Sequence, residues 1–477
     1  MAASNDKTAQ DAKGWVGRSI PRFEDAALLT GRGRFIDDLG TRPGTLEAAI
    51  LRSPHAHAEV EAIDCEVARA ADGVAAVLTG ADVKALTSSL VVGVKAPLEC
   101  WPIAVDRVRY VGEPVAVVVA SDRYRAEDAL ELIDVRYRRP LPAIVDPVAA
   151  AAPDAPILHP AAKSNVVGER TFRYGDPEQA FAAAAHRIRV DVRYPRNSCT
   201  PIETYGIVAE YDPGEDTYDV LANFQGPFSL HPVMARALKV PGNRLRLRTP
   251  PDSGGSFGVK QAIFPYIVLI AASARVAGRP VKWIEDRLEH LCGSVSATNR
   301  VTTLEAAVDH EGRVLALSFD QLEDCGAHLR APEPATLYRM HGNLTGAYDV
   351  RHVKIRNRIV LTNKTPTGLN RGFGGPQAYY PLERLMQRIA IELDLDPLEV
   401  IRRNLVPAQA MPYRTATGAL LDSGDFAGTL EAATRDGCPP GCRRTATRRA
   451  QGASIMASAS PPWLSRASPI WATSRPH

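Results

Sequence analysis

Pro250-Pro251-Asp252-Ser253-Gly254-Gly255-Ser256-Phe257-Gly258-Val259-Lys260 runs straight into Gln261-Ala262-Ile263-Phe264-Pro265-Tyr266-Ile267-Val268-Leu269-Ile270-Ala271-Ala272. Two prolines, three glycines within five residues and an abrupt apolar run read as a glycine-rich loop opening directly into a buried helix. Such a loop turns successive backbone N–H groups outward, and a helix N-terminus adds partial positive charge. Together they suit an anion or an oxo group, although an ordinary tight turn has the same composition. A second stretch well downstream, Arg371-Gly372-Phe373-Gly374-Gly375-Pro376-Gln377, weighs against the ordinary turn, because two such loops imply a shared site.

The chain has 477 residues, enough for two to four domains and an ample core. Hydrophobic content of 45% and charged content of 23% describe a soluble globular protein. A net charge of +3 gives no reason to expect nucleic acid or an anionic membrane surface as partner. The first fifteen residues, MAASNDKTAQDAKGW, lack the apolar core of a signal peptide. The apolar run around Ile267, broken by Pro265, Ser273 and Arg275, reads as too short and interrupted for a membrane span. The seven cysteines are scattered and form no CxxC pair, which suits reduced thiols in a cytoplasm and excludes an iron–sulfur or zinc framework. His55 and His57 have no third ligand nearby, so a structural role is expected of them.

Along the chain, residues 1–19 read as a flexible lead-in and 20–148 as one compact α+β unit. Tyr110 to Ala120 is its clearest strand and Arg123 to Leu132 its helix. An Ala/Pro-rich stretch, 149–164, reads as an extended linker. Strands are then expected at His186–Tyr194, Tyr205–Tyr211, Tyr218–Ala222, Thr302–Val308, Val314–Gln321 and 351–362, with a long amphipathic helix from Gln377 to Leu393. Asp396 is the expected N-cap of a further helix, with Pro397 at its first position. From Gly437 to His477 there is no Asp, Glu, Lys or Val and one Leu. That break marks 436–477 as a disordered tail or, the favoured expectation, as an aberrant product of a reading-frame shift.

Taken together, the two loops, Gly31-Arg32-Gly33-Arg34-Phe35 and Val111-Gly112-Glu113-Pro114 resemble the large subunits of the molybdenum hydroxylases: the xanthine dehydrogenase, aldehyde oxidoreductase and aerobic carbon monoxide dehydrogenase family. The resemblance covers about residues 20–430 and implies an α+β fold. In it, an α/β hammerhead domain (20–148) precedes the first half of a molybdopterin-binding region (165–430, with a short start of the second half). It implies a molybdenum-molybdopterin cofactor, in a cytosine dinucleotide form, held through Gln225, Gly255, Phe257, Gly258, Arg371, Gly372 and Phe373 with no side-chain ligand to the metal. The backbone at Phe257-Gly258 would approach the apical oxygen of the metal, and Arg371 the pterin. Arg339, Phe373 and Gln261 would face the substrate, although for Arg339 a surface salt bridge is the plainer reading of the spacing.

The resemblance also implies partners: a small 2Fe-2S subunit and an FAD-binding medium subunit, since neither motif occurs here. Two departures bear on substrate. No cysteine lies in Asn370-Arg371-Gly372-Phe373-Gly374, which argues against carbon monoxide. Gln261 stands where purine-hydroxylating members carry a carboxylate. The general-base glutamate of the family has no assignable counterpart, so no catalytic residue is named. The expected function is hydroxylation of an aldehyde or N-heterocycle with water as oxygen source, by a chain incomplete and inactive as written. The alternative is a non-catalytic fragment that acts by subunit association.

Overall fold

The computed structural model describes residues 14–437 apart from Gly40 and Val92, so the composition break beyond Gly437 lies outside the described residues. Fifteen strands carry the framework: β1 (Leu46–Arg52), β2 (Ala58–Asp64), β3 (Val74–Thr79), β4 (Arg107–Val108), β5 (Pro114–Ala120), β6 (Asp134–Pro140), β7 (Val166–Tyr174), β8 (His186–Tyr194), β9 (Gly206–Asp212), β10 (Thr217–Ala222), β11 (Leu245–Arg248), β12 (Val281–Ile284), β13 (Asn299–Val308), β14 (Val314–Asp324) and β15 (His352–Val360). They form a seven-stranded sheet in the order β11-β10-β9-β12-β1-β5-β3, a five-stranded sheet β7-β15-β14-β13-β8, and a small sheet β4-β2-β6.

The seven-stranded sheet joins the two main stretches of the chain. β1 pairs in parallel with β12, Leu46 opposite Val281, so strands from residues 46–120 and 206–284 share one hydrogen-bonded surface. All seven residues of β5 are buried, as expected of an apolar strand covered on both faces. The stretch 149–164 is packed rather than a free linker. Leu158 is wholly buried, and Asn165 donates through Nδ2 to the carbonyls of Ala150 and Pro156. Alanine and proline withhold a periodic pattern, which is why the sequence reads as loose there.

The helix Phe264–Ala277 is buried at every residue from Phe264 to Ala274 and forms the centre of the largest apolar cluster. With the short turn before it, Val259–Ala277 is long and apolar enough to cross a membrane, contrary to the expectation from its interruptions. Yet 89% of that window is buried inside the protein, so it is a core helix. The helix Gly375–Glu392 starts two residues before the expected Gln377. It lays Ala378, Leu382, Leu385, Met386, Ile389 and Ala390 on one face against the five-stranded sheet. Asp396 Oδ1 accepts from the N–H groups of Leu398 and Glu399, the cap expected from the Asp-Pro pair.

Candidate functional site

Each glycine loop leaves one of the two large sheets. The first follows β11 and passes through a 3₁₀ turn, Val259–Ile263, before the core helix, so the helix opens at Phe264, three residues later than expected. The second follows β15 and opens directly into Gly375–Glu392, with Gly374 as N-cap.

Their backbones share a left-handed Phe-Gly pair, Phe257 (φ 52°) with Gly258 (114°) and Phe373 (36°) with Gly374 (87°). Each has a further positive-φ glycine just before it, Gly255 (97°) two residues ahead of Phe257 and Gly372 (96°) next to Phe373. A left-handed phenylalanine is a steric outlier costing on the order of 1–3 kcal/mol, and such strain gathers at functional sites. The loops touch: a Cβ on Gly258 would lie 2.7 Å from the Leu369 carbonyl oxygen and 3.0 Å from the Asn370 nitrogen. The Cys199 thiol sits in the seam, contacting Asn370 Oδ1 and lying 3.5 Å from the Phe257 carbonyl oxygen. Burial raises the Cys199 thiol pKa, which keeps it un-ionised.

The residues singled out from the sequence gather around that seam. Gln225 contacts Ser256 through its side chain, and its N–H donates to the Lys260 carbonyl at 3.4 Å. Gln261 donates through Nε2 to Ser229 at 3.2 Å, while its buried Oε1 has no partner. The Arg371 guanidinium lies 6.0 Å from the centre of the Phe257 ring, and that of Arg339 lies 5.3 Å from Phe373. Among the described residues neither guanidinium meets a carboxylate, so the salt bridge that was the plainer reading of Arg339 is not formed. His57 lies elsewhere and bonds through Nδ1 to the Pro142 carbonyl at 2.8 Å.

Sequence reading missed Glu203, which holds the first loop in place. Its carboxylate accepts from the N–H groups of Gly254 (2.9 Å) and Ile36 (3.2 Å) and pairs with Lys260, itself 1% exposed. Asp252 Oδ2 accepts from the Arg34 N–H at 2.7 Å, so the Gly31–Phe35 motif is a strap across the first loop. Burial lowers the Lys260 pKa, opposed by Glu203. Nothing local in the sequence ties Glu203 to Gly254; only folding brings them together.

The arrangement fits an anionic, oxygen-rich cofactor. The N–H groups of Gly255, Ser256, Phe257 and Gly372 have no partner among the described residues, and the two guanidinium groups lie beside the loops without counter-ions. Glu203 adds no net charge, because Lys260 neutralises it.

Fold and site together define a subunit of the molybdopterin-dependent oxidoreductases. Residues 158–405 match the family described as molybdopterin cofactor-binding domain, and residues 30–140 match the aldehyde oxidase and xanthine dehydrogenase a/b hammerhead domain. The chain belongs to this family. It is 36% identical over 439 residues to the 6-hydroxypseudooxynicotine dehydrogenase complex subunit gamma of Paenarthrobacter nicotinovorans, covering 88% of this chain and 54% of that one. It is also similar to the nicotinate dehydrogenase large molybdopterin subunit of Eubacterium barkeri, 28% identical over 86% of this chain and 92% of the relative. Among solved structures, quinoline 2-oxidoreductase from Pseudomonas putida 86 superposes with a TM-score of 0.84 at 35% identity, covering 91% of this chain and 56% of that one. The chain thus spans about half the length of several relatives it matches and nearly all of the Eubacterium subunit.

Proposed function

We propose that this chain supplies one wall of a molybdopterin site in an enzyme that hydroxylates an N-heterocyclic or aldehyde substrate. The observation that carries it is the contact of the two loops at Gly258 and Leu369-Asn370, which brings together two loops with unpartnered N–H groups and a guanidinium group over the phenylalanine ring of each. A bound molybdopterin would supply two-electron oxidation of the substrate carbon. Gln225 and the N–H groups of Gly255, Phe257 and Gly372 would hold its oxygens, Arg371 would bind the pterin, and Arg339 and Phe373 would orient a flat substrate by stacking. The N-heterocyclic class is favoured by the names of the Paenarthrobacter, Eubacterium and Pseudomonas relatives. The second loop reads Asn370-Arg371-Gly372-Phe373-Gly374, without cysteine, which continues to argue against carbon monoxide although a carbon monoxide dehydrogenase large chain is 32% identical.

The opposite wall, with its general base, would come from sequence equivalent to the other half of the longer relatives, and electrons would leave to 2Fe-2S and FAD subunits. An apolar patch beside the first loop supports such association. Ile202 (93% exposed) adjoins Glu203, and Arg287 Nη2 bonds to the carbonyls of Pro201 and Ile202. Leu288 and Leu291, with Arg287 in the helix Arg287–Gly293, stand 73% and 60% exposed. The test is molybdenum and pterin analysis of the purified chain, alone and co-expressed with the second half of a relative. Cofactor recovered with the full set of sequences and lost on Arg371→Ala supports the reading. Cofactor absent from every preparation leaves a chain that acts only by association.

A further inference from the structure

Behind the second loop, two carboxylates are buried with one hydroxyl between them. Glu323, at the end of β14, is 0% exposed, and Glu333 is 2% exposed. The Thr336 hydroxyl lies 2.7 Å from Glu323 Oε1 and 2.5 Å from Glu333 Oε2. A hydroxyl has one proton to donate, so it cannot satisfy two carboxylates at these distances. One acid must carry a proton and donate to the Thr336 oxygen.

The surroundings decide which. Arg300, directly opposite Glu323 in the β13–β14 register, forms a fork with it, Nε to Oε2 at 2.6 Å and Nη2 to Oε1 at 3.0 Å, which fixes Glu323 as the anion. Glu333 has no cation of its own, and its Oε1 has no partner, as suits the carbonyl oxygen of an acid. The titratable and charged groups facing Glu333 are Glu323, the more distant Arg300 and the buried Cys325 thiol.

We propose that Glu333 is an un-ionised carboxylic acid that donates to Thr336, which donates to ionised Glu323. Through this chain Glu333 acts as the positioning residue for the second glycine loop. The mechanical link is short. Thr336 belongs to the helix Ala335–Arg339, and a Cβ on Gly374 would lie 2.1 Å from the Thr336 carbonyl oxygen, so the loop rests on that turn. Arg339, at the end of the same helix, lies over Phe373. Ionising Glu333 would set two buried anions against one cation and push the turn, the loop and Arg339 apart. Burial and the Glu323 charge push the Glu333 pKa up to about 8. Because the exposed group titrates at 4.5, the stabilisation is complete below 4.5 and is lost as pH rises from 4.5 to about 8. The proton assignment stands on the local geometry, whereas its consequence for a cofactor rests on the proposed function above.

The experiment follows hydrogen exchange of the full chain between pH 5 and 9, corrected for intrinsic rates, with infrared detection of un-ionised carboxyl groups. In the wild type, the opening equilibrium of Ala335–Arg339 and Arg371–Gly374 should grow about tenfold per pH unit to pH ~8 and then level off. Glu333→Gln, whose amide can still donate to Thr336, should show flat opening and lack one un-ionised carboxyl band. The same pH slope in wild type and variant, or a band that survives the substitution, overturns the proposal. If the variant does not fold, a pH-independent wild-type opening overturns it, and the stated slope together with an un-ionised carboxyl band that fades near pH 8 supports it. The expected exchange behaviour with molybdenum retention indifferent to pH would uphold the proton assignment and sink the reading of the loop as a cofactor wall.

Discussion

Replacing Gly258 by alanine tests the contact on which the site depends. Gly258 has φ 114° and ψ −34°, a conformation that costs an L-residue about 1–3 kcal/mol. The new methyl would also sit 2.7 Å from Leu369 O and 3.0 Å from Asn370 N, both backbone atoms that cannot swing aside. Overpacking of that kind costs about 1–3 kcal/mol unless the loops separate. The expected total is about 2–6 kcal/mol, with separation of the loops as the route of relief. Gly278→Ala is the control: it has φ 63° and no atom within 4 Å of the added methyl, so it should cost only about 1 kcal/mol. Urea unfolding of both variants gives the difference in stability, and hydrogen exchange over residues 366–374 reports separation of the second loop. If Gly258→Ala matches Gly278→Ala in both measurements, the two loops do not support each other and the site as described is wrong.

Glu203→Gln removes one partner of the buried Lys260 pair and should destabilise the chain by about 3–5 kcal/mol in denaturant unfolding, while loosening exchange at Gly254 and Ile36 together. His159, whose pKa is pushed down to about 3 by burial and then by His328 and Arg109, bonds to the Ala327 carbonyl while neutral. Its unfolded form binds a proton below 6.5, so its share of stability is full above 6.5, and the folding equilibrium constant falls about tenfold per pH unit as pH drops towards 3. His159→Gln should flatten that acid limb in a pH series of melting points. Arg339→Ala should cost under about 1 kcal/mol of stability yet raise KM for a flat heterocyclic substrate in the reconstituted enzyme. An unchanged KM would remove Arg339 from the substrate site.

Much of the framework was legible in the sequence because it rests on periodicity and local chemistry. The strand His186–Tyr194 and the Asp396-Pro397 helix start were found where expected. Errors cluster where local pattern and tertiary context disagree. Val259–Ala277 carries proline, serine and arginine yet lies almost wholly inside the protein, because the sheets around it supply burial that its sequence does not announce. Residues 149–164 read as slack but are pinned by Leu158 and Asn165.

The sequence by itself determined that two glycine loops, each carrying a Phe-Gly pair, stand before helices, and those motifs fix the family. Glycine and its neighbours set backbone conformation over a few residues, and that information is local. Only the tertiary structure decided that the loops meet, that Cys199 lies in their seam, and that Arg339 and Arg371 cover the two phenylalanine rings. It also decided the charge state of the supports, pairing Glu203 with Lys260 and setting Glu333 against Glu323. Those pairings join residues from separate sheets and loops, and a carboxyl group's protonation depends on what surrounds it after folding.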